Sequence, residues 1–470
     1  MNTNDSDDEF FRETHYARYG YDRTNIYGLA VLDSRKPTCL DRAEEFPSHR
    51  FESFPSTTTD NAPDPLKKPV RHLIAASSSE MVGLASRDGY WNSLHMGLGL
   101  TMGRHEMIAM DAVEEGDRVL VAVAIAEKEP NDTFQYSLRI FSSSAPYLEQ
   151  ALIDIAGKYV QGGIGFHLTN VPDTRQVIPL SSAPMHLTHT WSKEQHQLMF
   201  LLTALDGRIH MYMAQDDNIF KQVEDVGSYY PMMAEICEHR LKILFMHIYD
   251  RPNGQQVICA GGQNGDVILA IYDPDGNQVA YHTTRVFSPI TSVLVFQQRV
   301  SNTVHPEDEL HIVATCAIEL AIVYRSIENN GLSKSRVLPQ SGNYDSVMCS
   351  HAMDVDWDGE REIMIGTYGR QVLIYKQVAG TQEYNVLWRR QFAYPIYRIS
   401  HLDLNRDGLD ELIVSTMYGV HVFQPNMKRA RERLLEVLQY VEGNKRRIYE
   451  LVLEWRHQKE MEKAIVFESQ

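Results

Sequence analysis

Two related stretches near the end of the chain decide the fold. Asp354–Tyr375 reads DVDWDGEREIMIGTYGRQVLIY, and Asp403–Phe423 reads DLNRDGLDELIVSTMYGVHVF. Each consists of an acidic turn, an apolar strand, a short turn and a second apolar strand that ends in an aromatic residue. Earlier copies of this hairpin end at Tyr212, Tyr272 and Tyr324, so that successive ends lie 60, 52, 51 and 48 residues apart. One hairpin that recurs at such a period indicates a repeat architecture.

Each hairpin follows another strand-like run, which gives about four strands for every fifty residues. Two fainter copies, one near Leu84 and one that ends at Phe141, bring the number of repeats to seven. Units of this size are typical of β-propeller blades. We therefore predict an all-β fold, a seven-bladed β-propeller over residues 25–424, with a C-terminal α-helical extension. The alternative is a pair of β-sandwiches, whose strands need not repeat one hairpin at a near-constant period.

The last repeat has no outer strand, because a helical pattern follows Phe423 directly. Residues 1–24 form an N-terminal segment in which the stretch from Phe10 to Tyr19 is predicted to supply that strand, since closing the ring removes an exposed sheet edge. Residues 32–70 are rich in Pro, Ser, Thr and Asp. They are predicted to form a flexible loop inserted in the first blade.

Residues 425–470 are predicted to form a helical tail. Apolar side chains recur there at the spacing of one helix face. The candidate partner-binding residues on this face are Leu434, Leu438, Val441, Ile448, Leu451 and Trp455. Two interpretations remain open, since the helix can pack on its own propeller or dock on another subunit.

The two acidic turns follow the pattern D-x-[DN]-x-D-G-x-x-E. Their candidate metal ligands are Asp354, Asp356, Asp358 and Glu362 in the first turn and Asp403, Asn405, Asp407 and Glu411 in the second. Alternating oxygen ligands suit calcium, but an EF-hand needs Glu at position twelve, where this chain has Ile365 and Val414. The turns resemble instead the loops of FG-GAP propellers, which bind calcium between the first two strands of a blade. The alternative needs no metal, because Asp can cap its own turn through backbone N–H groups.

The charge balance disfavours nucleic acid and anionic membranes as main partners. The chain carries 62 Asp and Glu against 45 Lys and Arg, a formal net charge of −17, which repels phosphate groups. The five cysteines include no Cys-x-x-Cys pair, and no apolar run is long enough to span a bilayer. These features predict a cytoplasmic protein with reduced thiols and without a membrane span.

Catalytic motifs are poor, and no catalytic residue is predicted. The stretch from Gly97 to Gly103 misses a nucleotide-binding G-x-G-x-x-G by one residue, and G-x-S-x-G, the P-loop lysine and H-E-x-x-H do not occur. We predict that the chain is not an enzyme and requires no cofactor, with calcium as the one candidate ion. The alternative is a propeller enzyme with a cluster of histidines and carboxylates in its central channel.

Three further stretches carry a resemblance to a known family. They are IVATCAIELAIVYRSIENNGL (Ile312–Leu332), YDSVMCSHAMDVDWDGEREIMIGTYGRQVLIYK (Tyr344–Lys376) and HLDLNRDGLDELIVSTMYGVHVFQ (His401–Gln424). Together with NIYGLAV (Asn25–Val31), they resemble the kaptin family, the β-propeller subunits of the KICSTOR complex. The chain departs from this likeness in residues 32–70 and beyond Lys445.

The resemblance implies a function in signalling. Kaptin-like subunits pair with an FG-GAP-repeat propeller protein and a large scaffold subunit at the lysosomal membrane. That assembly recruits the GATOR GTPase-activating complex and negatively regulates TOR kinase signalling on amino-acid starvation. Kaptin-like proteins are also actin-associated, which leaves a cytoskeletal role on actin filaments at the cell edge as the alternative.

Overall fold

The computed structural model describes residues 10–20, 23–24, 26–33, 71–87, 90–98, 100–101, 103–115, 118–144, 166–167, 176–193, 197–215, 219–299, 308–405 and 407–468. Most of the loop predicted over residues 32–70 lies outside these ranges. Its first two residues, Leu32 and Asp33, belong to a strand.

Most of the described chain is β-strand. The first ten strands are β1 (Phe11–Arg18), β2 (Leu29–Asp33), β3 (Arg71–Ala76), β4 (Met81–Arg87), β5 (Tyr90–Gly97), β6 (His105–Glu115), β7 (Arg118–Lys128), β8 (Phe134–Ser144), β9 (Phe166–His167) and β10 (Gln176–Leu180). The next ten are β11 (Pro184–Trp191), β12 (Leu198–Ala204), β13 (Ile209–Ala214), β14 (Phe220–Val223), β15 (Ile243–Asp250), β16 (Gln256–Gly262), β17 (Asp266–Tyr272), β18 (Gln278–Arg285), β19 (Ile290–Arg299) and β20 (Asp308–Cys316). The last nine are β21 (Ile322–Tyr324), β22 (Ser335–Val337), β23 (Val347–Met353), β24 (Glu362–Thr367), β25 (Gln371–Gln377), β26 (Tyr384–Gln391), β27 (Ile396–Leu402), β28 (Glu411–Thr416) and β29 (Gly419–Pro425).

In the described part of the chain, three α-helices accompany the strands, and the first two are short connections. They are α1 (Pro231–Glu238), α2 (Ile327–Asn330) and α3 (Met427–Glu468). Within the described residues, no helix is both long enough and apolar enough to cross a membrane.

The strands form seven sheets, which are the seven blades of a propeller. Blade 1 is β2-β3-β4-β5 with β9 added in parallel, and blade 2 is β6-β7-β8-β10. Blades 3 to 6 each take four consecutive strands, from β11 through β26. Blade 7 is β27-β28-β29-β1, so its outer strand comes from the start of the chain. The predicted fold, a seven-bladed propeller with a C-terminal helix, is confirmed.

The position of a strand in its blade follows from its side chains. The second strands of blades 3, 4, 6 and 7 are buried along their whole length, as expected for strands covered on both faces. Outer strands such as β18 and β26 alternate between covered and exposed residues, because one of their faces meets solvent.

The ring is closed by the antiparallel pairing of β1 with β29. The register runs from Phe11 opposite Pro425 to Arg18 opposite Gly419. Phe11 is 1% exposed and packs in the same apolar cluster as Phe423, which joins blades 6 and 7. This pairing gives β29 a second neighbour, so β29 is not the edge strand of blade 7.

The helix α3 leaves the propeller directly after the closing strand. The side chain of Asn426 accepts a hydrogen bond from the backbone N–H of Lys428 at 3.0 Å, which caps the first turn. Arg429 stacks over the ring of Phe10 at 4.0 Å, and Arg433 Nε donates to the carbonyl of Trp357 at 3.3 Å. The first two turns are therefore fixed against blades 6 and 7.

Candidate functional site

The acidic loop of blade 6 joins β23 to β24. The carboxylate of Asp354 accepts hydrogen bonds from the backbone N–H groups of Asp358 at 3.2 Å and Gly359 at 2.9 Å. Gly359 has φ of 90°, which a residue without a side chain adopts at little cost. Glu362, at the start of β24, accepts from the N–H of Val355 through Oε2 at 2.8 Å. The loop is thus held by its own carboxylates, as an Asx-turn requires.

A lysine from the next strand fills the centre of this loop. The Nζ atom of Lys376 in β25 lies 2.5 Å from Asp356 Oδ2, 2.6 Å from Asp358 Oδ2 and 3.0 Å from Glu362 Oε1. Burial lowers the pKa of Lys376, but its bonds to these carboxylates outweigh that effect and raise it above its ordinary value. Sequence analysis missed Lys376, because it lies outside the acidic motif and reaches it only through the pairing of β24 with β25.

The acidic loop of blade 7 joins β27 to β28 with the same backbone pattern. Asp403 accepts from the N–H groups of Asp407 and Gly408, both at 3.1 Å. Glu411 Oε2 accepts from the N–H of Leu404 at 2.7 Å. Asn405 Oδ1 accepts from the N–H of Asp407 at 2.8 Å. Among the described residues, the candidate ligand atoms that converge within 4.8 Å are those of Asp354, Asp356 and Glu362 in blade 6. The residues predicted in blade 7 share the backbone pattern of that loop.

The buried glutamates of the two loops differ in their surroundings. Burial raises the pKa of Glu362 to about 7, with Lys376 acting against that rise. Burial raises the pKa of Glu411 to about 8, and the neighbouring charges of Asp407 and Asp403 push it in the same direction. Glu411 Oε1 is buried and has no hydrogen-bond partner among the residues that the structure describes. Glu362 thus has a neighbouring ammonium group, whereas the neighbouring charges that act on Glu411 are carboxylates.

We expect the free energy of unfolding to fall when Lys376 is replaced by Met. The three carboxylates would then face one another without a counter-charge. Removing one partner of a buried ion pair costs roughly 3–5 kcal/mol, and because Lys376 is 28% exposed we expect about 2 kcal/mol in metal-free buffer. Urea unfolding measures the loss. Lys376→Arg keeps the charge and should lose less, so equal losses in the two variants would contradict this role.

The central channel contains the second group of polar residues. It is a cavity of about 350 Å³ lined by the first strands of all seven blades. Its charged and histidine side chains are Asp111, His189, His247, Asp250, His351 and Arg398. Within the described residues, histidines and carboxylates therefore line the channel, which is where the alternative of a propeller enzyme placed them.

Three of the charged channel residues, Asp111, Asp250 and Arg398, have defined side-chain contacts. His189 Nδ1 lies 2.7 Å from Asp111 Oδ2, and Asp250 Oδ1 accepts from Gln256 Nε2 at 2.7 Å. The guanidinium of Arg398 lies over the ring of Phe245, 5.0 Å from its centroid. A carboxylate that orients a histidine is one part of a catalytic triad, but a triad also needs an activated nucleophile.

Cys349, two residues before the channel residue His351, does not supply that nucleophile. Cys349 is fully buried, and burial raises the pKa of its thiol to about 12. A reactive cysteine needs a lowered pKa and solvent access.

His186 and His189 lie in different surroundings. The ring of His186 packs against that of Phe245, with 4.1 Å between the ring centroids, while His189 pairs with Asp111.

The pair of His189 and Asp111 should give the stability of the protein a pH dependence. Burial lowers the pKa of His189, but the Asp111 carboxylate more than offsets it, so the folded pKa lies above the ordinary 6.5. The stabilisation is full below pH 6.5 and is lost as pH rises through the folded pKa. We expect Asp111→Asn to cost about 1 kcal/mol more at pH 6 than at pH 9, measured by urea unfolding. A loss that does not change with pH would contradict an ionised pair.

The helix α3 presents the third candidate surface. Its predicted partner-binding residues are between 50% and 62% exposed: Leu434, Leu438, Val441, Ile448, Leu451 and Trp455. Other large apolar side chains on the helix are also exposed, among them Leu435, Tyr440 and Val452. Packing of this face against the chain's own propeller would have buried these residues. An exposed apolar face of this extent is typical of a protein-interaction surface.

Comparison with known proteins gives a family match. The model of the family described as KICSTOR complex protein kaptin matches residues 105–435, a range that begins in blade 2 and ends in the first turns of α3. The KICSTOR complex protein kaptin of Mus musculus is 30% identical over 288 residues, which cover 59% of this chain and 66% of the mouse protein. The matched segment thus spans slightly less than two thirds of that relative's length.

Solved structures give weaker likenesses. A crystal structure of BBS1N in complex with ARL6DN, soaked with mercury, has a TM-score of 0.47 and 8% identity, over 88% of this chain and 96% of that chain. The same complex soaked with lead has a TM-score of 0.43 and 10% identity, over 75% of this chain and 87% of that chain. At these scores neither adds to the assignment, so the propeller fold rests on the sheet topology.

Proposed function

Because this chain belongs to the kaptin family, we propose that it is a non-enzymatic scaffold subunit of a KICSTOR-like complex. The observation that carries the proposal is the family match over residues 105–435, which includes blades 2 to 6 and three of the four strands of blade 7. The mouse relative is named as a protein of the KICSTOR complex. In this role the propeller offers blade edges and loops as binding surfaces, and it performs no chemistry itself.

The proposed complex acts on TOR kinase signalling. Its further members are an FG-GAP-repeat propeller protein and a large scaffold subunit. The assembly recruits the GATOR GTPase-activating complex to the lysosome and restrains TOR kinase signalling when amino acids are scarce. The chain is then cytoplasmic and reaches the lysosomal membrane through its partners.

The exposed apolar face of α3 also supports a scaffold role, independently of the family match. The helix beyond residue 435 lies outside the matched family range, so its role is argued from its own geometry. Leu434, Leu438, Val441, Ile448, Val452 and Trp455 follow the alternating three- and four-residue spacing of a coiled-coil seam, with Lys445 at the one polar position. This spacing fits a partner helix.

The charge of α3 indicates what kind of helix it binds. Ten Lys and Arg against seven Glu lie between Lys428 and Lys463, so the helix is basic on a chain whose net charge is −17. Two copies of the same basic helix would repel each other, whereas an acidic helix of another subunit would be attracted. We therefore propose a different subunit of the complex as the occupant.

Affinity purification tests the assignment to the complex. The full chain, tagged and expressed at its natural level in cells, should copurify an FG-GAP-repeat propeller protein and a large scaffold subunit. Recovery of the chain without either of them would overturn the proposal. A control purification of an unrelated seven-bladed propeller distinguishes specific partners from chaperones that bind propellers in general.

Actin filaments are the second candidate partner, and one observation favours testing them. Lys445, Arg446 and Arg447 form an exposed basic triplet on α3, while Arg446 also pairs with Glu442 at 2.8 Å. Actin is acidic, so contact would have to pass through such a patch. Cosedimentation of the full chain with filaments, compared with a variant that has Glu at all three positions, separates this role from the first.

A further inference from the structure

Large apolar side chains are exposed at the end of the propeller that lies opposite the two acidic loops. In an antiparallel blade, the loop between its second and third strands and the connection to the next blade lie at one end. The acidic loops join first strands to second strands and therefore lie at the other end. Phe287, in the connection from blade 4 to blade 5, is 94% exposed, and Ile318, between β20 and β21, is 79% exposed. Leu320, Tyr368 and Tyr394 are exposed in neighbouring loops of this end.

Hydrogen bonds join the loops of blades 5 and 6 at this end. The N–H of Ile318 donates to Ser288 Oγ at 3.0 Å, beside Phe287. The hydroxyl of Ser346 donates to the carbonyl of Ala317 at 2.7 Å, and the carbonyl of Ser346 accepts from the N–H of Tyr368 at 2.8 Å. The exposed side chains of these two blades thus lie on adjoining loops.

The contacts continue from blade 6 to blade 7. The N–H of Phe392 donates to the carbonyl of Arg370 at 2.8 Å, in the connection that carries Tyr394. The rings of Tyr394 and Tyr418 lie 4.5 Å apart between centroids. A contiguous exposed apolar surface marks an interaction site, whereas scattered apolar residues do not. We call this surface the loop arc, and its exposed members are Phe287, Ile318, Leu320, Tyr368, Arg370 and Tyr394.

Arg370 has a backbone conformation that is usually left to glycine. Its φ is 65°, and its N–H donates to the carbonyl of Thr367 at 3.2 Å. At the same position of the matching turns, blades 3 and 4 have Gly207 with φ of 73° and Gly265 with φ of 87°. A side chain in this conformation costs free energy, and such residues cluster at binding sites. Blade 6 therefore keeps an arginine where glycine would be less strained, which indicates a use for its side chain.

The guanidinium of Arg370 is available to a partner. It is exposed, and among the described residues it forms no ion pair and no side-chain hydrogen bond. Arg285, by contrast, uses Asp266 of its own chain at 2.9 Å. The exposed carboxylates of the loop arc, Glu319 and Asp345, lie in the loops around blade 5 and do not pair with Arg370.

The two ends of blades 6 and 7 differ in charge. At the end of the loop arc, residues 368–370, 392–395 and 417–418 contain one charged side chain, that of Arg370. The other end carries the two acidic loops. An acidic segment is therefore attracted to the loop arc and repelled by the opposite end. A second copy of this chain, with its net charge of −17, is a poor occupant for the same reason.

We propose that the loop arc docks an acidic segment of another subunit, with a carboxylate on Arg370 and apolar side chains against Phe287, Ile318 and Tyr368. An arginine binds a carboxylate through two parallel N–H donors, and arginine and aromatic residues are frequent at the centres of interfaces. This inference rests on the proposed scaffold function and adds a second surface to it. The helix α3 leaves from the acidic end, so both surfaces can be occupied at once.

Photo-crosslinking in the full chain tests the contact. With Tyr368 replaced by p-benzoylphenylalanine, illumination in cells should crosslink the chain to another subunit of the complex, and peptide mapping should place the crosslink in a segment rich in Asp and Glu. The matched control carries the same amino acid at Phe134, which is 51% exposed in blade 2 and should give no such crosslink. A crosslink to a second copy of this chain, or the absence of any crosslink in a complex that is otherwise recovered, would overturn the proposal.

Substitutions of Arg370 separate a binding role from a structural one. Arg370→Gly gives the turn the residue of blades 3 and 4, so its Tm should be at least that of the wild type, while recovery of the crosslinked subunit should fall at least tenfold. Arg370→Glu should lower that recovery further, and Arg370→Lys should retain part of it. A lowered Tm of Arg370→Gly, or its normal recovery of the subunit, would contradict the proposal.

Failure of the proposed function would give a different result. A wild-type chain that copurifies no subunit of the complex would overturn the scaffold role and the loop arc together. A wild-type chain that is recovered with its partners, and whose recovery is unchanged by Arg370→Glu, would leave the scaffold role intact and overturn only the loop arc.

Discussion

Replacing Leu438 and Val441 by Glu is expected to abolish the copurification of partner subunits. Both side chains lie in the exposed seam of α3, with exposed fractions of 54% and 50%. Buried apolar anchors at the centre of an interface each contribute about 2 kcal/mol or more. Two charges in their place would weaken binding at least a hundredfold, and pull-down of the tagged variants from cells measures the loss.

The stability of the chain should be unaffected by this double substitution. Exposed substitutions usually change the free energy of unfolding by less than about 0.5 kcal/mol. Gln439→Glu is the matched control, because it adds a negative charge to the same turn on the opposite face and should retain the partners. Normal copurification by the double variant would show that α3 is not the docking element, while leaving membership of the complex intact.

Replacing Phe11 by Ala is expected to destabilise the whole propeller. Phe11 is 1% exposed in the cluster that joins blades 6 and 7, with its ring edge-on to Trp388 at 6.0 Å between centroids. A Phe→Ala change in a core costs roughly 3–5 kcal/mol. Among residues 11–18 of the closing strand, Phe11 is the one large side chain in this cluster. Urea unfolding measures the effect.

The neighbouring residue provides the control for this prediction. Arg12 is exposed on the same strand and pairs with Gln424 in register. Arg12→Ala removes a long side chain without removing core packing and should cost less than about 0.5 kcal/mol. Similar losses in Phe11→Ala and Arg12→Ala would mean that the closing strand contributes little to stability.

The number and order of the blades could be predicted from the sequence because they depend on local pattern. Each hairpin of a blade lies within one short stretch, and the second strands are mostly apolar because both of their faces are covered. The acidic turns could be located for the same reason, since their ligands and their glycine lie within nine residues of one another, from Asp403 to Glu411. A pattern confined to so few residues can be recognised from the sequence alone.

Which side chain lies beside the carboxylates of each acidic loop depends on tertiary structure. Lys376 reaches the carboxylates of blade 6 from a neighbouring strand, and Gln424 holds the same place in blade 7. The acidic motif is the same in both loops, so the motif alone assigned calcium to both. Charge compensation depends on which side chain the pairing of strands brings into contact, and that is decided by register.

What the sequence determined by itself is thus the repeat, its period and the oxygen-rich turns, because each rests on residues close together in the chain. The tertiary structure decided the rest. It brought Asp111 to His189 in the channel, paired Phe11 with Pro425 to close the ring, and left the apolar face of α3 exposed. These outcomes depend on contacts between distant residues, whose free energy is gained only after the blades have assembled.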